Sequence, residues 1–314
     1  MTRLDSILDL IGNTPLVGVH ALSPNPDIRI WAKLEGQNPG GSSKDRIAKT
    51  MVEMAEADGL LTPGSGQTIL EPSSGNTGIG LALVTKLRGY RLRVVLPENV
   101  SIERRQLLEI FGAEVVLSPG EEGSNGAIRR AEKLAADEPE LVMLFQYGNP
   151  ANPLAHYRGT GPEILADCPE VDVFCAGLGT SGTLMGVGRY LREHRPDVKI
   201  LAVEPPVGEL VQGLRNLDDG FVPPIFESGL LDRKTIVRPR ESIEWTRRLL
   251  RDCGVFAGIS SGAAIAGAVK YAQTMESGTI VVLLPDGGWK YLSSGAWTDD
   301  IDVVEERAQR INYW

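Results

Sequence analysis

Cysteine and histidine are scarce in this chain, three of each among 314 residues. Cys168, Cys175 and Cys253 are odd in number, form no C-x-x-C pair and have no histidine at ligand spacing, which leaves no basis for a disulfide framework or a zinc site. Cys175, inside an apolar run, reads as a small core residue. His20, His156 and His194 are scattered and read as packed or surface residues rather than acid–base catalysts. Basic clusters are missing too. Against 41 acidic side chains there are 32 basic ones, a formal charge of −9, and the short pairs Arg104-Arg105, Arg129-Arg130 and Arg247-Arg248 read as solvated helix faces. That balance argues against a nucleic-acid surface. No apolar stretch is long enough to span a bilayer, and Asp5 and Asp9 interrupt the N-terminal candidate for a signal sequence, so a cytoplasmic protein without membrane partners is expected. Repeats and low-complexity tracts are not evident.

What the chain does contain is a regular alternation. Short Val/Ile/Leu runs at 29–35, 68–71, 92–96, 114–117, 142–145, 172–176, 199–203 and 279–284 alternate with helical periods, the signature of an α/β fold with parallel sheets and crossover helices. Helices are expected at 45–58, 77–88 and 101–111, ending at Gly59, Gly89 and Gly112, with Ser101 as a cap. The length favours two domains. The Gly148-Asn149-Pro150-Ala151-Asn152-Pro153 stretch breaks the pattern, which places an N-terminal domain at 1–150, a C-terminal domain at 151–314 and a cleft between them; the first 35 or so residues could pack on the second domain.

Three segments share one design, small polar residues running into a helix. In Asn38-Pro39-Gly40-Gly41-Ser42-Ser43-Lys44-Asp45-Arg46 a loop delivers one amine to a helix start, where positive potential and partial desolvation can activate it; alone, the run is equally a solvated surface lysine. The turns Ser73-Ser74-Gly75-Asn76-Thr77-Gly78 and Gly177-Leu178-Gly179-Thr180-Ser181-Gly182-Thr183 each follow a strand and offer backbone N–H groups and hydroxyls to an anion. The second turn, with Glu204 closing the next strand, also fits the dinucleotide fingerprint, so a nicotinamide dehydrogenase is a competing reading. Against it, the Lys44 run and the Ser73 turn have no role in hydride transfer, and one phosphate monoester cradled by Gly179 to Thr183 uses the same donors.

An aldehyde cofactor bearing one phosphate and joined to one lysine is pyridoxal 5'-phosphate, and the motifs follow suit. Gly12-Asn13-Thr14-Pro15-Leu16, the Lys44 run, Glu71 to Gly78, Gln146 to Asn152, Gly179 to Thr183 and Gly258-Ile259-Ser260-Ser261-Gly262 stand in the order of one family. Over nearly its whole length the chain resembles the cysteine synthase branch of the fold-type-II, tryptophan-synthase-β-like pyridoxal phosphate enzymes. The resemblance implies that Lys44 carries the cofactor as an imine, that Asn76 meets the ring hydroxyl, that Gly179, Thr180, Ser181, Gly182 and Thr183 hold the cofactor phosphate, and that Ser260 faces the pyridine nitrogen. A hydroxyl there, unlike a carboxylate, leaves that nitrogen largely neutral and suits elimination over transamination. By the same resemblance Ser73, Ser74, Gly75, Thr77 and Gln146 hold the substrate carboxylate. The implied reaction is β-replacement through an α-aminoacrylate, with Lys44 moving the α-proton and L-cysteine as product.

Within Gly213-Leu214-Arg215-Asn216 the chain is most similar to the B-type enzymes of actinobacteria that use O-phospho-L-serine, in which the corresponding arginine receives the substrate phosphate. Pro206 and Val207 depart from the polar residues expected beside that arginine. An O-acetylserine sulfhydrylase using sulfide or thiosulfate is the alternative, and a partner subunit that has lost its chemistry is the remaining class. The same relatives accept sulfur from a small thiocarboxylated carrier protein, form homodimers, and fold a C-terminal tail over the cleft; here that tail ends in Tyr313-Trp314.

Overall fold

A computed structural model describes residues 3–73 and 75–310. Among the described residues ten strands form two sheets. The larger has the order β1 (Leu16–Gly18), β2 (Ile28–Leu34), β10 (Gly278–Leu284), β7 (Val173–Gly177), β8 (Lys199–Glu204), β9 (Arg233–Ile236), and only β1 runs antiparallel to its neighbour. The smaller has the order β5 (Glu114–Ser118), β4 (Arg91–Pro97), β3 (Thr68–Pro72), β6 (Val142–Met143), all parallel. The helices are α1 (Lys44–Ala57), α2 (Asn76–Arg88), α3 (Ile102–Phe111), α4 (Gly123–Asp137), α5 (Ala151–Ala155), α6 (Gly161–Asp167), α7 (Gly182–His194), α8 (Pro239–Cys253), α9 (Ile259–Ala272) and α10 (Ile301–Arg310).

Parallel strands bury both faces, which is why β10 reads Gly-Thr-Ile-Val-Val-Leu-Leu without alternation. Ile280, Val282 and Leu284 pack with Ile28, Ile30 and the alanine-rich face of α9, while Val281 and Leu283 pack with Phe174, Leu184 and Met185. Helix α9 lies close because its surface is small: a Cβ on Gly267 would run into the Val203 side chain. In the smaller sheet α1 and α2 share a core with Ile69, Leu92 and Val94, and α4 covers the opposite face at Leu70 and Val95. Strand β2 pairs with β10 along its whole length, from Ile28 opposite Gly278 to Leu34 opposite Leu284, so the first strands of the chain belong to the sheet built by its second half.

Helices α2 and α3 end at left-handed Gly89 and Gly112 as the sequence predicts. Three details differ. Strand β6 stops at Met143 because Phe145 takes φ 56° and the Phe145 and Gln146 N–H groups turn onto the Glu71 carboxylate. Ser101 sits at the start of α3, but its hydroxyl donates to the Lys290 carbonyl (3.1 Å) instead of capping the helix. Edge strand β9 escapes the apolar pattern because its residues are Arg-Lys-Thr-Ile, charges that protect an exposed edge.

Candidate active site

The carboxyl ends of β3, β7 and β10 and the loop after β2 converge on one cleft, where open α/β sheets place their ligands. It opens to solvent, and with the solvent at its mouth the space between its walls is about 620 Å³. Lys44, Asn76, Thr77, Gln146, Gly179, Thr180, Arg215 and Ser260, residues from opposite halves of the chain, all stand on its wall. Ser73, Gly75, Ser181, Gly182 and Thr183 do not line it, and Ser74 falls outside the described residues.

Lys44 is the first residue of α1, on a loop strapped to the end of β10 by Ser43 N–H donating to the Pro285 carbonyl (2.8 Å) and Gly287 N–H donating to the Gly41 carbonyl (3.3 Å). Its Nζ lies 3.4 Å from Ser43 Oγ, at the outer limit of a hydrogen bond, so the amine is weakly held. Burial lowers its pKa from the ordinary lysine value, with Asp286 and Glu35 pulling the other way, which raises the fraction of neutral, nucleophilic amine.

The turn before α2 divides its labour. Ser73 Oγ accepts from the N–H groups of Gly75 (3.0 Å) and Gly78 (3.1 Å), so this hydroxyl builds the helix start. Gly75 adopts φ 138° against the Arg104 side chain, and a Cβ would collide there. Arg104 is thereby buried, stacked over Tyr291, where the sequence suggested a solvated pair; its neighbour Arg105 remains exposed. Thr77 Oγ1 donates to Gln146 Oε1 (2.6 Å), and Gln146 Nε2 donates to the Pro72 carbonyl (3.1 Å), so the two residues form one unit on the wall. Behind them the fully buried Glu71 accepts from the N–H groups of Phe145 (2.8 Å) and Gln146 (3.0 Å). Burial pushes its carboxyl up to about 8 against the pull of those donors. Asn76 gives its amide N–H to Asp286 Oδ2 (2.8 Å) and accepts from Lys290 Nζ (2.9 Å).

The glycine loop after β7 is shaped by close approach. A Cβ on Gly182 would strike the Asn152 amide, and one on Gly179 would press on the Gly213 carbonyl. Asn152 Nδ2 donates to Thr180 Oγ1 (3.0 Å), and the buried His156 ring bridges Thr160 Oγ1 (2.9 Å) and Thr183 Oγ1 (3.1 Å). Burial drives the pKa of His156 far below its usual value, with Lys44 and Arg46 adding to the effect, so the ring is neutral. Ser181 is left-handed, with φ 69°, and its buried hydroxyl has no hydrogen-bond partner. Glu204, the acid of the dinucleotide fingerprint, is tied instead to Lys234 (2.9 Å).

Arg215 reaches the wall with its guanidinium over the Phe221 ring (4.7 Å to the centroid) and near that of Tyr147 (5.4 Å). Its hydrogen bonds are long, to Asn125 Oδ1 (3.3 Å) and the Phe221 carbonyl (3.4 Å). Ser260 opens α9 across from Gly213. Sequence reasoning missed Ser124, Tyr147, Pro285 and Tyr291 on the same wall. The Gly287–Ser294 segment carries no strand or phosphate-loop signature, so only the fold could find Tyr291. Cys175 lies in the core as expected, with Sγ toward the Ala264 carbonyl. Among the described residues no cluster of His, Cys, Asp or Glu could hold a metal ion, and no helix is long and apolar enough to cross a membrane.

Residues 7–286 match the family described as pyridoxal-phosphate dependent enzymes. A cysteine synthase from Staphylococcus aureus is 42% identical over 307 residues, covering 95% of this chain and 98% of its own. Among solved structures, an O-ureido-L-serine synthase is 40% identical with a TM-score of 0.88, the match covering 94% of this chain and 96% of that one. A cysteine synthase from Entamoeba histolytica is 34% identical with a TM-score of 0.88, covering 98% and 96% of the two chains.

Proposed function

Since this chain belongs to the pyridoxal-phosphate dependent enzymes, among the cysteine synthases, we propose that it makes L-cysteine by β-replacement on O-phospho-L-serine. The residues present fit the cofactor. The orphaned Ser181 hydroxyl sits in a glycine-lined cradle that lacks one acceptor, the partly desolvated Lys44 amine stands loose on the wall, and Ser260 offers a hydroxyl at the opposite side. In this reading Lys44 joins the aldehyde, Asn76 meets the ring oxygen, Ser260 meets the ring nitrogen, and the loop from Gly179 to Thr183 takes the phosphate. When bound, the group supplies an electrophilic carbon for the substrate amine and a ring that acidifies its α-proton.

The remaining work belongs to the chain. The Thr77–Gln146 pair and the helix end behind it, built by Ser73 and Gly75, orient the substrate carboxylate; Ser74 is assigned there from the family resemblance alone. Once the substrate amine has displaced it, the freed Lys44 amine takes the proton from Cα as the Cβ–O bond breaks, the electron pair of that bond leaving with phosphate. A sulfur nucleophile then forms the Cβ–S bond, and Lys44 returns the proton to Cα. Arg215 meets the departing phosphate.

The observation that carries the ester preference is the state of Arg215. It is a buried guanidinium on the cleft wall whose hydrogen bonds to Asn125 and the Phe221 carbonyl are long, whose other partner is the neutral Tyr147, and which among the described residues has no carboxylate partner. A phosphate dianion satisfies such a fork in bidentate fashion, whereas a neutral acetate ester leaves it unused. The competing reading, an O-acetyl-L-serine substrate, is favoured by the overall likeness to the Entamoeba histolytica cysteine synthase. Steady-state kinetics on Arg215→Ala separates the two. Turnover of O-phospho-L-serine should fall about a hundredfold in kcat/KM while that of O-acetyl-L-serine changes little. Equal losses on both esters would remove the phosphate role. Family resemblance alone suggests a homodimer and a thiocarboxylated carrier protein as sulfur source, with sulfide or thiosulfate as alternatives; the Tyr313-Trp314 tail lies outside the described residues.

A further inference from the structure

Behind Asn76 lies a buried charged cluster that none of the roles above uses. Lys290 is completely buried, an unusual place for an ammonium group, and its Nζ donates to Asn76 Oδ1 at 2.9 Å. The other end of the same amide donates to Asp286 Oδ2 at 2.8 Å, and that oxygen also accepts from Tyr291 Oη at 2.5 Å. An ammonium can only donate and a carboxylate can only accept, so the Asn76 amide has one permitted orientation: carbonyl toward Lys290, nitrogen toward Asp286. Asp286 takes one of the two N–H bonds, which leaves the second for the cleft that Asn76 lines.

We propose that Lys290 is a positioning residue for the cofactor, holding the Asn76 carbonyl so that the remaining N–H is presented to the pyridine ring oxygen and strengthened as a donor. A cation on the carbonyl polarises the amide and makes its N–H more acidic, an effect that low dielectric enlarges. Burial brings Lys290 down to about 8, with Asp286 and Asp45 holding it up and Arg104 and Lys44 pressing it down, so the ammonium persists at neutral pH. Two nearby ties show that the site is built. The Ser101 hydroxyl donates to the Lys290 carbonyl, and the buried Asp45, next to Lys44 on α1, attracts the Lys290 ammonium. The inference rests on the cofactor, a family property, and does not depend on which serine ester is the substrate.

The test reads cofactor binding without substrate. Lys290→Met should weaken pyridoxal phosphate binding to the apoprotein about tenfold and shift the visible absorption band of the bound fraction, while Lys290→Arg, which keeps a donor-only cation, should stay within about threefold of the parent. A merely structural lysine would lower the apoprotein melting temperature and leave that band where it is. If Lys290→Met does not fold, Lys290→Gln keeps a donor, removes the charge, and is expected to show the same weakening and band shift. Parental affinity and spectrum in the neutral variant, or an Arg variant as impaired as the neutral one, overturns the proposal.

Discussion

Arg46 and Arg215 are equally hidden, 5% and 6% exposed, and live in opposite circumstances. Arg46 donates to both oxygens of Glu35 (2.7 and 2.8 Å), to both oxygens of Glu163 (2.6 and 2.7 Å) and to Thr14 Oγ1 (3.2 Å), while Lys33 closes the network on Glu163 at 2.8 Å. Arg215 has two long hydrogen bonds and two aromatic rings. All three guanidinium nitrogens of Arg46 are engaged by the two carboxylates, so it joins the Lys44 helix to the end of β2 and to α6. Arg215 keeps donors in reserve and faces the cleft. Burial of a charge alone does not distinguish structure from function; the number of unspent donors does.

The sharpest way to break that contrast is to remove the spent charge. Arg46→Met strands Glu35, fully buried, beside Glu163, and should cost about 3–5 kcal/mol of unfolding free energy because a carboxylate is left without compensation. Arg215→Met strands no partner. Urea denaturation of the two apoproteins should therefore place the Arg46 variant far below the parent and the Arg215 variant close to it; comparable losses would erase the distinction.

Carboxylates offer the same comparison with a smaller effect. Glu163, between Arg46 and Lys33, is held down to about 2 despite burial, so the stability it confers is complete above the ordinary value near 4.5 and is lost only as pH falls toward 2. Glu71 has neutral hydrogen-bond donors and, among the described residues, no cationic partner, and it is pushed up to about 8 by burial. The unfolded chain releases that proton near 4.5 while the folded chain keeps it, so stability declines as pH rises from about 4.5 through about 8. Asp45, raised to about 6 by burial, adds to the lower part of this window. Glu71→Gln removes the larger contribution. Between about pH 5 and pH 6.5 the parent should lose roughly 2 kcal/mol more than the variant in urea titrations; parallel curves would mean that Glu71 is ionised throughout.

The contrast also explains what could be read from the chain. Local signals were legible: the buried strands, the left-handed stops at Gly89 and Gly112, and the loops that carry Lys44, Asn76 and Thr180 to helix starts. Each is encoded within a few residues. Partnership was not. Asn76 meets Asp286 and Lys290 across 210 and 214 positions, and Arg46 meets Glu163 across 117. In the sequence Arg104 reads as a solvated helix residue, because a pair of arginines carries no record of Tyr291 folding beneath one of them. Ser73 was legible as part of an anion turn, yet only the structure shows that its hydroxyl is committed to the Gly75 and Gly78 N–H groups.

The finest test keeps the charge of Arg215 and removes its geometry. A lysine at this position would still place a cation on the cleft wall, but as a point charge with no planar fork for two phosphate oxygens and no flat face to lie over Phe221. If the unspent donors matter as a fork, Arg215→Lys should lower kcat/KM for O-phospho-L-serine about tenfold, a loss near 1.4 kcal/mol, and weaken inhibition by inorganic phosphate in parallel. If charge alone attracts the ester, the lysine variant should match the parent, and raising ionic strength should then depress both proteins equally. Measuring the two variants on both esters at two salt concentrations separates a directed pair of hydrogen bonds from a diffuse field. Only the first of these uses the donors that Arg46 has spent and Arg215 has kept.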